Sequence, residues 1–256
     1  MRVTILGCGG SSGVPLVGGY WGECDPDEPR NRRRRVSILV EQDKTRLLID
    51  TSPDLREQLI DAKVDWLTAV LYTHAHADHL HGIDDLRAVN YLMKASLPVY
   101  GTPGTLDEIR SRFGYAFDPL PENGEYFRPS LTPTPIRTPE FSVGGLGVRW
   151  FEQDHGPAGT TIGYRLGKLA YSTDVVRMPE PAFAALEGIE LWIVDCLRWT
   201  PHATHAHVDL ALEWIARVKP KRAVLTHLGH LLDYRKLAAR CPPGVEPAYD
   251  GMVIEV

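Results

Sequence analysis

Short apolar runs alternate with helical patterns along the whole chain. Val3–Leu6, Val36–Val40 and Arg46–Ile49 have the composition of β-strands and are bounded by polar or turn residues. Between such runs, apolar residues three or four positions apart predict amphipathic helices. The other predicted strands are Ala69–Tyr72, Val99–Tyr100, Val148–Glu152, Thr161–Arg165, Leu169–Ser172, Glu190–Val194, Ala223–Leu225 and Met252–Val256, and the predicted helices are Pro53–Leu59, Ile83–Leu92, Thr105–Arg112 and Leu210–Val218.

Local signals refine this pattern. Ser52 is placed to cap a helix that begins with Pro53. Gly167-Lys168 lies between two strand patterns and predicts a hairpin. Phe113–Thr138 is rich in proline and lacks periodicity, so we expect an insertion or mobile loop there. Strand-rich halves closed by helices predict an α/β protein with two packed sheets and helices outside.

Composition excludes several classes of protein. With 33 acidic and 28 basic residues the formal net charge is −5, which argues against bulk electrostatic binding of nucleic acid. No apolar run reaches the roughly 18 residues of a membrane span, and Met1–Gly7 is too short for a signal peptide. The four cysteines form no CxxC pair, so we expect reduced thiols and a cytoplasmic protein.

Metal-competent side chains cluster directly after one predicted strand. His74, His76, Asp78 and His79 fall within six residues. A strand end that opens into a loop lets neighbouring side chains converge on one point. Imidazole and carboxylate together suit Zn²⁺, Mn²⁺ or Fe²⁺. The alternative is a solvated histidine-rich loop.

Three further donors follow other predicted strands. His155, Asp174 and His227 each lie just past the carboxyl end of a strand pattern. Donors at the ends of four strands would lie along one edge of a sheet sandwich. The sequence therefore predicts one metal centre rather than a solvated loop.

The order and type of these seven donors resemble the metallo-β-lactamase fold superfamily, over about residues 3–254. The resemblance implies one domain over residues 1–256 with a four-layer αββα sandwich. It also implies two divalent metal ions, Zn²⁺ or Mn²⁺. Asp at the Asp174 position, where the β-lactamases carry Cys, indicates the dinuclear hydrolases and especially phosphodiesterases. The implied ligands are His74, His76 and His155 for one ion, Asp78, His79 and His227 for the second, and Asp174 as the bridge.

Further segments resemble the branch that contains phosphoribosyl 1,2-cyclic phosphate phosphodiesterase. In that branch, a histidine before an Asp-Leu pair is proposed to protonate the leaving oxygen, which makes His207 a catalytic candidate beside Asp78; His202 and His205 compete for the role. The branch also holds a structural zinc through an N-terminal cysteine cluster. Only Cys24 remains here, with His230, so we expect no structural zinc. The matching segments are Leu6–Pro15, Trp21–Cys24, Tyr72–His74, Tyr100–Gly101, Ser172–Asp174, Val194–Cys196, His207–Leu210, Leu225–His227 and Tyr249–Met252.

Two segments are candidates for binding substrate. Arg32–Arg35 is a basic run that could grip a phosphate, because guanidinium pairs with phosphate through two hydrogen bonds; a solvated loop is the alternative. Gly7–Gly13 lacks the lysine of a nucleotide-binding loop, so we expect a tight turn beneath the metals. Arg34, Arg35 and Ser12 are the specific candidates for substrate contact.

Together these features predict a metal-dependent phosphodiesterase that acts on a small cyclic phosphate or nucleotide. Paired cations acidify water, so no protein nucleophile is needed. No membrane and no stable nucleic-acid partner are expected, and a homodimer is left open. The alternatives are a nuclease like the tRNA 3′-processing endonucleases, whose long basic arm is not evident here, a thioester or lactone hydrolase of the same fold, and a metal-containing binding module without turnover.

Overall fold

The computed structural model describes residues 1–118 and 128–256. Within them, no helix has the length and hydrophobicity needed to cross a bilayer. The strands are β1 (Arg2–Gly7), β2 (Ser37–Gln42), β3 (Thr45–Ile49), β4 (Ala69–Leu71), β5 (Leu97–Gly101), β6 (Leu131–Pro135), β7 (Glu140–Val143), β8 (Leu146–Asp154), β9 (Thr160–Leu166), β10 (Leu169–Ser172), β11 (Leu191–Asp195), β12 (Arg222–Thr226), β13 (Val245–Pro247) and β14 (Val253–Glu255). The helices are α1 (Leu55–Asp61), α2 (Ala77–Leu80), α3 (Leu86–Met93), α4 (Pro103–Phe113), α5 (Glu180–Ala185), α6 (Val208–Val218) and α7 (Tyr234–Arg240).

The strands form two seven-stranded sheets that pack face to face. The first sheet has the order β14-β1-β2-β3-β4-β5-β6, and the second has the order β13-β12-β11-β10-β9-β8-β7. Successive side chains of a strand point to opposite faces. In β1, Val3 and Ile5 therefore join the apolar cluster between the sheets, whereas Leu6 joins the cluster beneath the helices. A third cluster lies between the second sheet and its helices. The predicted α/β fold with four αββα layers is confirmed.

Strand direction brings the carboxyl ends together. Strands β3, β4 and β5 are parallel to one another, and so are β10, β11, β12 and β13. Strand β8 runs in the same direction as β10, because each is antiparallel to β9. The loops that follow these strands therefore leave each sheet at the same edge, where their side chains can meet. The predicted strands before all seven metal donors are confirmed, as is the hairpin at Gly167-Lys168 between β9 and β10.

The expected start of the first helix is wrong by two residues. Helix α1 begins at Leu55 and is preceded by Asp54. Ser52 does not cap it, because its Oγ donates to Gln58 Oε1 (2.8 Å) and accepts the N–H of Asp54 (3.2 Å). The predicted helix over Ile83–Leu92 begins as a 3₁₀ turn at Ile83–Asp85 and becomes α-helical from Leu86.

The expectation of a loop over Phe113–Thr138 is wrong for its second half. Strand β6 lies there, at the end of the first sheet, and pairs in parallel with β5. Its two prolines, Pro133 and Pro135, have no N–H to donate, which an edge strand tolerates because one of its sides needs no ladder partner. Part of the expected loop, residues 119–127, lies outside the described residues. The sequence pattern also missed α2, α5, α7, β7 and β13, which are all short.

Candidate metal centre

The seven predicted donors converge in two groups that share Asp174. Within each group, the donor atoms lie within 4.8 Å of one another. Asp174 Oδ2 lies 3.7 Å from His74 Nε2 and 3.6 Å from His155 Nε2. Its Oδ1 lies 3.0 Å from His79 Nε2 and 3.4 Å from His227 Nε2. One group is His74, His76, His155 and Asp174, and the other is Asp78, His79, Asp174 and His227.

Unusual backbone conformations aim the side chains at the centre. Asp50, Asp174 and His227 follow β3, β10 and β12, and their φ angles are 64°, 56° and 60°. The left-handed region is unfavourable for residues other than glycine, at a cost of about 1 kcal/mol or more each. Such a residue turns the chain sharply at the end of its strand. The surrounding fold therefore holds three residues of this centre in strained backbone conformations.

Hydrogen bonds behind the donors fix their orientation. The buried Asp50 carboxylate accepts the Thr73 N–H (2.8 Å) and hydroxyl (2.7 Å) and lies 2.7 Å from His79 Nδ1. Thr73 Oγ1 in turn lies 3.0 Å from His74 Nδ1. His155 Nδ1 donates to the Thr204 carbonyl (2.7 Å). Because a donating Nδ1 leaves Nε2 with its lone pair in the neutral ring, these contacts prepare Nε2 to bind a cation.

The unpartnered atoms of the centre fit divalent cations. His74 Nε2, His79 Nε2, His227 Nε2 and Asp78 Oδ2 are buried and have no hydrogen-bond partner. Buried polar atoms are almost always hydrogen-bonded, so several orphans pointing into one space require another explanation. Imidazole nitrogens together with carboxylate oxygens are the donors that Zn²⁺ and Mn²⁺ accept. The residues present therefore fit a metal centre.

Protons occupy part of this centre in the metal-free chain. Burial opposes a charge on His227, but the Asp174 and Asp78 carboxylates, 3.4 and 3.5 Å from its Nε2, outweigh burial and raise its pKa to about 9. Burial likewise opposes a charge on His79, and Asp174 and Asp78 raise its pKa well above the ordinary value. Burial and the nearby His79 hold the pKa of His74 well below its ordinary value. A cation must therefore displace protons from the second group.

A third histidine cluster adjoins the second group. His205 Nδ1 lies 3.1 Å from Asp195 Oδ2, and His205 Nε2 lies 3.9 Å from Asp174 Oδ2. Asp195 Oδ2 also accepts the N–H groups of Val175 (3.1 Å) and Ala206 (3.2 Å). His207 belongs to none of these groups and instead precedes α6 as its N-terminal cap residue. The structure thus brings His205, and not the predicted His207, to the metal donors.

A cleft of about 470 Å³ opens over the donors. His76, His155 and His205 lie along it, and the glycine-rich loop after β1 forms one wall. Ser12 lines this cleft, and its contact with substrate stays a prediction. A Cβ at Gly10 would lie 3.4 Å from the His227 ring and 3.1 Å from Leu197, so glycine lets this loop pack directly against a metal donor, as the expected tight turn requires.

Arg34 and Arg35 do not line this cleft. They lie in a separate and larger cavity of about 650 Å³ on the other side of Ser12 and Gly13. Arg34 pairs with Asp61 (2.8 Å) and Asp250 (3.2 Å), and Arg35 pairs with Asp54 (3.1 Å). Carboxylates therefore neutralise both side chains. They thus lie apart from the metal donors, and their contact with substrate stays a prediction.

The neighbouring Arg33 joins two loops beside the cleft. Arg33 is 2% exposed, and its guanidinium donates to Gly229 O (3.1 Å), Asn31 Oδ1 (3.1 Å) and Leu232 O (2.7 Å). The Cys24 thiol packs in the same place, with Sγ 3.4 Å from the carbonyls of both His230 and Leu232. Gly229 and His230 line the cleft. A buried arginine thus fastens one cleft wall to the N-terminal segment.

Comparison with known proteins agrees with this geometry. The Beta-lactamase superfamily domain matches residues 45–228, a range that contains all seven donors. The chain belongs to the metallo-β-lactamase superfamily. Members of this superfamily are metal-dependent hydrolases. A solved diphosphatase of the PhnP family has a TM-score of 0.89 and 30% identity and covers 100% of this chain and 97% of its own, which places the chain in the PhnP-like branch.

Two curated relatives are longer proteins. An octanoyltransferase of Porphyromonas gingivalis is 34% identical over 98% of this chain and 51% of its own length. A ribonuclease Z of Mycobacterium bovis is 27% identical over 65% of this chain and 58% of its own length. The chain therefore spans little more than half of these relatives, so their activities are not carried over whole.

Sequence reasoning missed two supporting carboxylates. Asp50 and Asp195 each stand at the carboxyl end of a buried strand, as the recognised donors do. Their position at a strand end was a signal that could have identified them. Neither residue, however, lies in a histidine motif. The Thr204 carbonyl behind His155 gives no signal at all, because any residue supplies a carbonyl.

Titration with Zn²⁺ should release protons. Near pH 7, His227 holds a proton in the metal-free protein, because its pKa is raised to about 9, and a cation requires the unprotonated ring. Because the pKa of His227 is raised to about 9, the release should decrease as the pH rises through about 9. Calorimetric titration in buffers of different ionisation enthalpy counts the protons. A His202→Gln control, on the cleft but outside both groups, should leave the count unchanged. Binding without proton release near pH 7 would contradict this assignment.

Replacing Arg33 should destabilise the protein strongly. Arg33→Met removes three buried hydrogen bonds, to Asn31 Oδ1, Gly229 O and Leu232 O, which should cost about 3 kcal/mol. Arg32→Met is the matched control, because its side chain is exposed and should change stability by less than about 0.5 kcal/mol. Urea unfolding of both variants measures the difference. Equal stability of the two variants would refute the fastening role of Arg33.

Proposed function

We propose that the chain is a hydrolase of small phosphate diesters or nucleotides that works with two divalent metal ions, Zn²⁺ or Mn²⁺. The observation that supports this most strongly is the placement of Asp174, whose two carboxylate oxygens face separate histidine groups. A shared carboxylate between two donor sets suits a pair of cations a few Å apart. The proposed ligands are His74, His76 and His155 for one ion and Asp78, His79 and His227 for the other, with Asp174 between them.

The chain supplies orientation and proton transfer rather than a nucleophile. When bound, two divalent cations lower the pKa of water to about 7 and offset the charge that grows on phosphoryl oxygens. Asp50 and Thr73 hold the rings of His79 and His74 in place. The thiols of Cys8 and Cys196 are buried, and burial raises their pKa well above the ordinary value, so they are poor nucleophiles.

His205 is the proposed proton donor to the leaving oxygen. Its Nδ1 lies 3.1 Å from the buried Asp195 carboxylate, which orients the ring. Its Nε2 points to the side of the centre where Asp174 Oδ2 lies. His202 also lines the cleft, but its Nδ1 lies 3.1 Å from the Thr204 hydroxyl and has no carboxylate behind it among the described residues.

The cleft favours a small substrate over a polynucleotide. Proteins that hold a nucleic-acid strand neutralise several phosphates with Lys or Arg. Of the described residues that line this cleft, Arg198 alone is a Lys or Arg. A volume of about 470 Å³ suits a nucleotide-sized molecule. The likeness to a PhnP-family diphosphatase supports a phosphorylated substrate, whereas the weaker likeness to ribonuclease Z covers 65% of the chain.

His205→Ala should be selective for the leaving group. An alkoxide leaving group needs a proton, so the variant should lose about a hundredfold or more in kcat on an alkyl phosphodiester. A p-nitrophenolate leaves without protonation, so kcat on bis(p-nitrophenyl) phosphate should fall by less than about tenfold. His207→Ala, two residues away, is the control and should act like the wild type on both substrates. The opposite result for the two variants would restore His207 as the donor.

Metal content and activity should fall together in Asp174→Asn. Wild-type protein should hold about two ions per chain by elemental analysis, and the variant should lose metal and about a hundredfold or more of its phosphodiesterase activity. Asp154→Asn is the control, because Asp154 pairs with Arg177 outside both groups. Chelator-resistant activity, or full activity with one ion per chain, would rule out the proposed centre.

A further inference from the structure

The charged groups around the cleft are distributed unevenly. The arginine run Arg32–Arg35, which precedes β2, lies in the separate cavity, where Arg34 and Arg35 face carboxylates. Arg198 lines the metal cleft instead. Within the described part of the chain, no carboxylate lies within ion-pair distance of Arg198, and its recorded partners are backbone carbonyls. The cleft therefore contains one guanidinium whose charge the described residues do not neutralise.

Backbone pairing fixes Arg198 relative to His205. The N–H of Leu197 donates to Ala206 O (2.9 Å), and the N–H of Val208 donates to Arg198 O (3.0 Å). The segment after β11 and the segment before α6 thus form one unit. The rings of His202 and His205 within this unit are 5.4 Å apart. Arg198 accordingly belongs to the same wall of the cleft as the proposed proton donor.

The guanidinium is held ready to bind a ligand. Nε donates to Thr200 O (3.0 Å), and Nη2 donates to Pro201 O. A guanidinium has five N–H donors, so three remain available in a side chain whose position is already restricted. A restricted guanidinium loses little conformational entropy on binding, and its geometry matches phosphate. These properties are those of an anion-binding group.

We infer that Arg198 determines specificity by binding a second anionic group, a phosphate on the leaving-group part of the substrate. This inference rests on the proposed function, because the leaving-group side is defined by His205. One phosphoryl group would lie at the metal donors, and the second would pair with Arg198. Substrates with a charged leaving group would then be favoured over neutral diesters of the same size.

Bisphosphate ligands test this inference without turnover. Zn²⁺-loaded protein is titrated calorimetrically with butanediol, pentanediol and hexanediol bisphosphates and with the alkyl monophosphates of the same lengths. At one or more lengths, the wild type should bind the bisphosphate about tenfold more tightly than the monophosphate. Arg198→Ala should abolish this preference, and Arg198→Lys should retain part of it. Arg32→Ala removes a charge from the separate cavity and should keep the full preference.

The outcomes separate this inference from the proposed function. A wild type that prefers no bisphosphate, or an Arg198→Ala variant that keeps the preference, would overturn the inference. An equal loss in Arg32→Ala would also overturn it, because the effect would then be one of overall charge. Failure of the metal-loaded wild type to hydrolyse bis(p-nitrophenyl) phosphate would instead reject the proposed function, whatever the bisphosphate result.

Discussion

The Asp174 carboxylate between two buried histidine groups is the interaction on which the rest of the centre depends. Burial alone would disfavour an ionised carboxylate at this position, since transfer of an ion out of water is costly. Asp174 is 1% exposed, and its pKa is nevertheless held well below the ordinary value, against burial, by His227 and His79. Five imidazoles lie within 4 Å of its two oxygens. Without this shared anion, the two groups would repel each other whether they held protons or cations.

The fold makes this arrangement possible because it is rigid at the strand ends. Apolar clusters cover both faces of each sheet, so the strands that carry Asp50, Asp174 and His227 cannot shift to relieve their left-handed conformations. The two sheets supply different donors, and loops from both meet where Leu228 N–H donates to Cys8 O (2.7 Å). Precise geometry in the loops is thus a consequence of packing in the layers beneath them.

The sequence allowed the sheets and the donors to be predicted because both depend on local pattern. A buried strand such as β4 is a short apolar run, and the histidines that follow it must lie at its end. Contacts between distant residues were not predictable in this way. Arg34 pairs with Asp250, which is 216 positions away in the sequence. The sequence of the basic run therefore does not show that the charge of Arg34 is neutralised. His205 and His207 differ in placement because Asp195 lies behind only one of them, and that depends on the path of the intervening chain.

The same argument explains why arginines in different parts of the fold have different surroundings. Arg33, Arg34 and Arg35 follow one another before β2, where the chain crosses from the N-terminal segment into the sheet core. There a guanidinium is in contact with backbone carbonyls or acidic side chains and serves to hold segments together. Arg198 follows a strand end at the metal edge, where the facing surface is the open cleft. Function at such an edge is decided by which charges the fold leaves unmatched, and composition or local basicity does not show that.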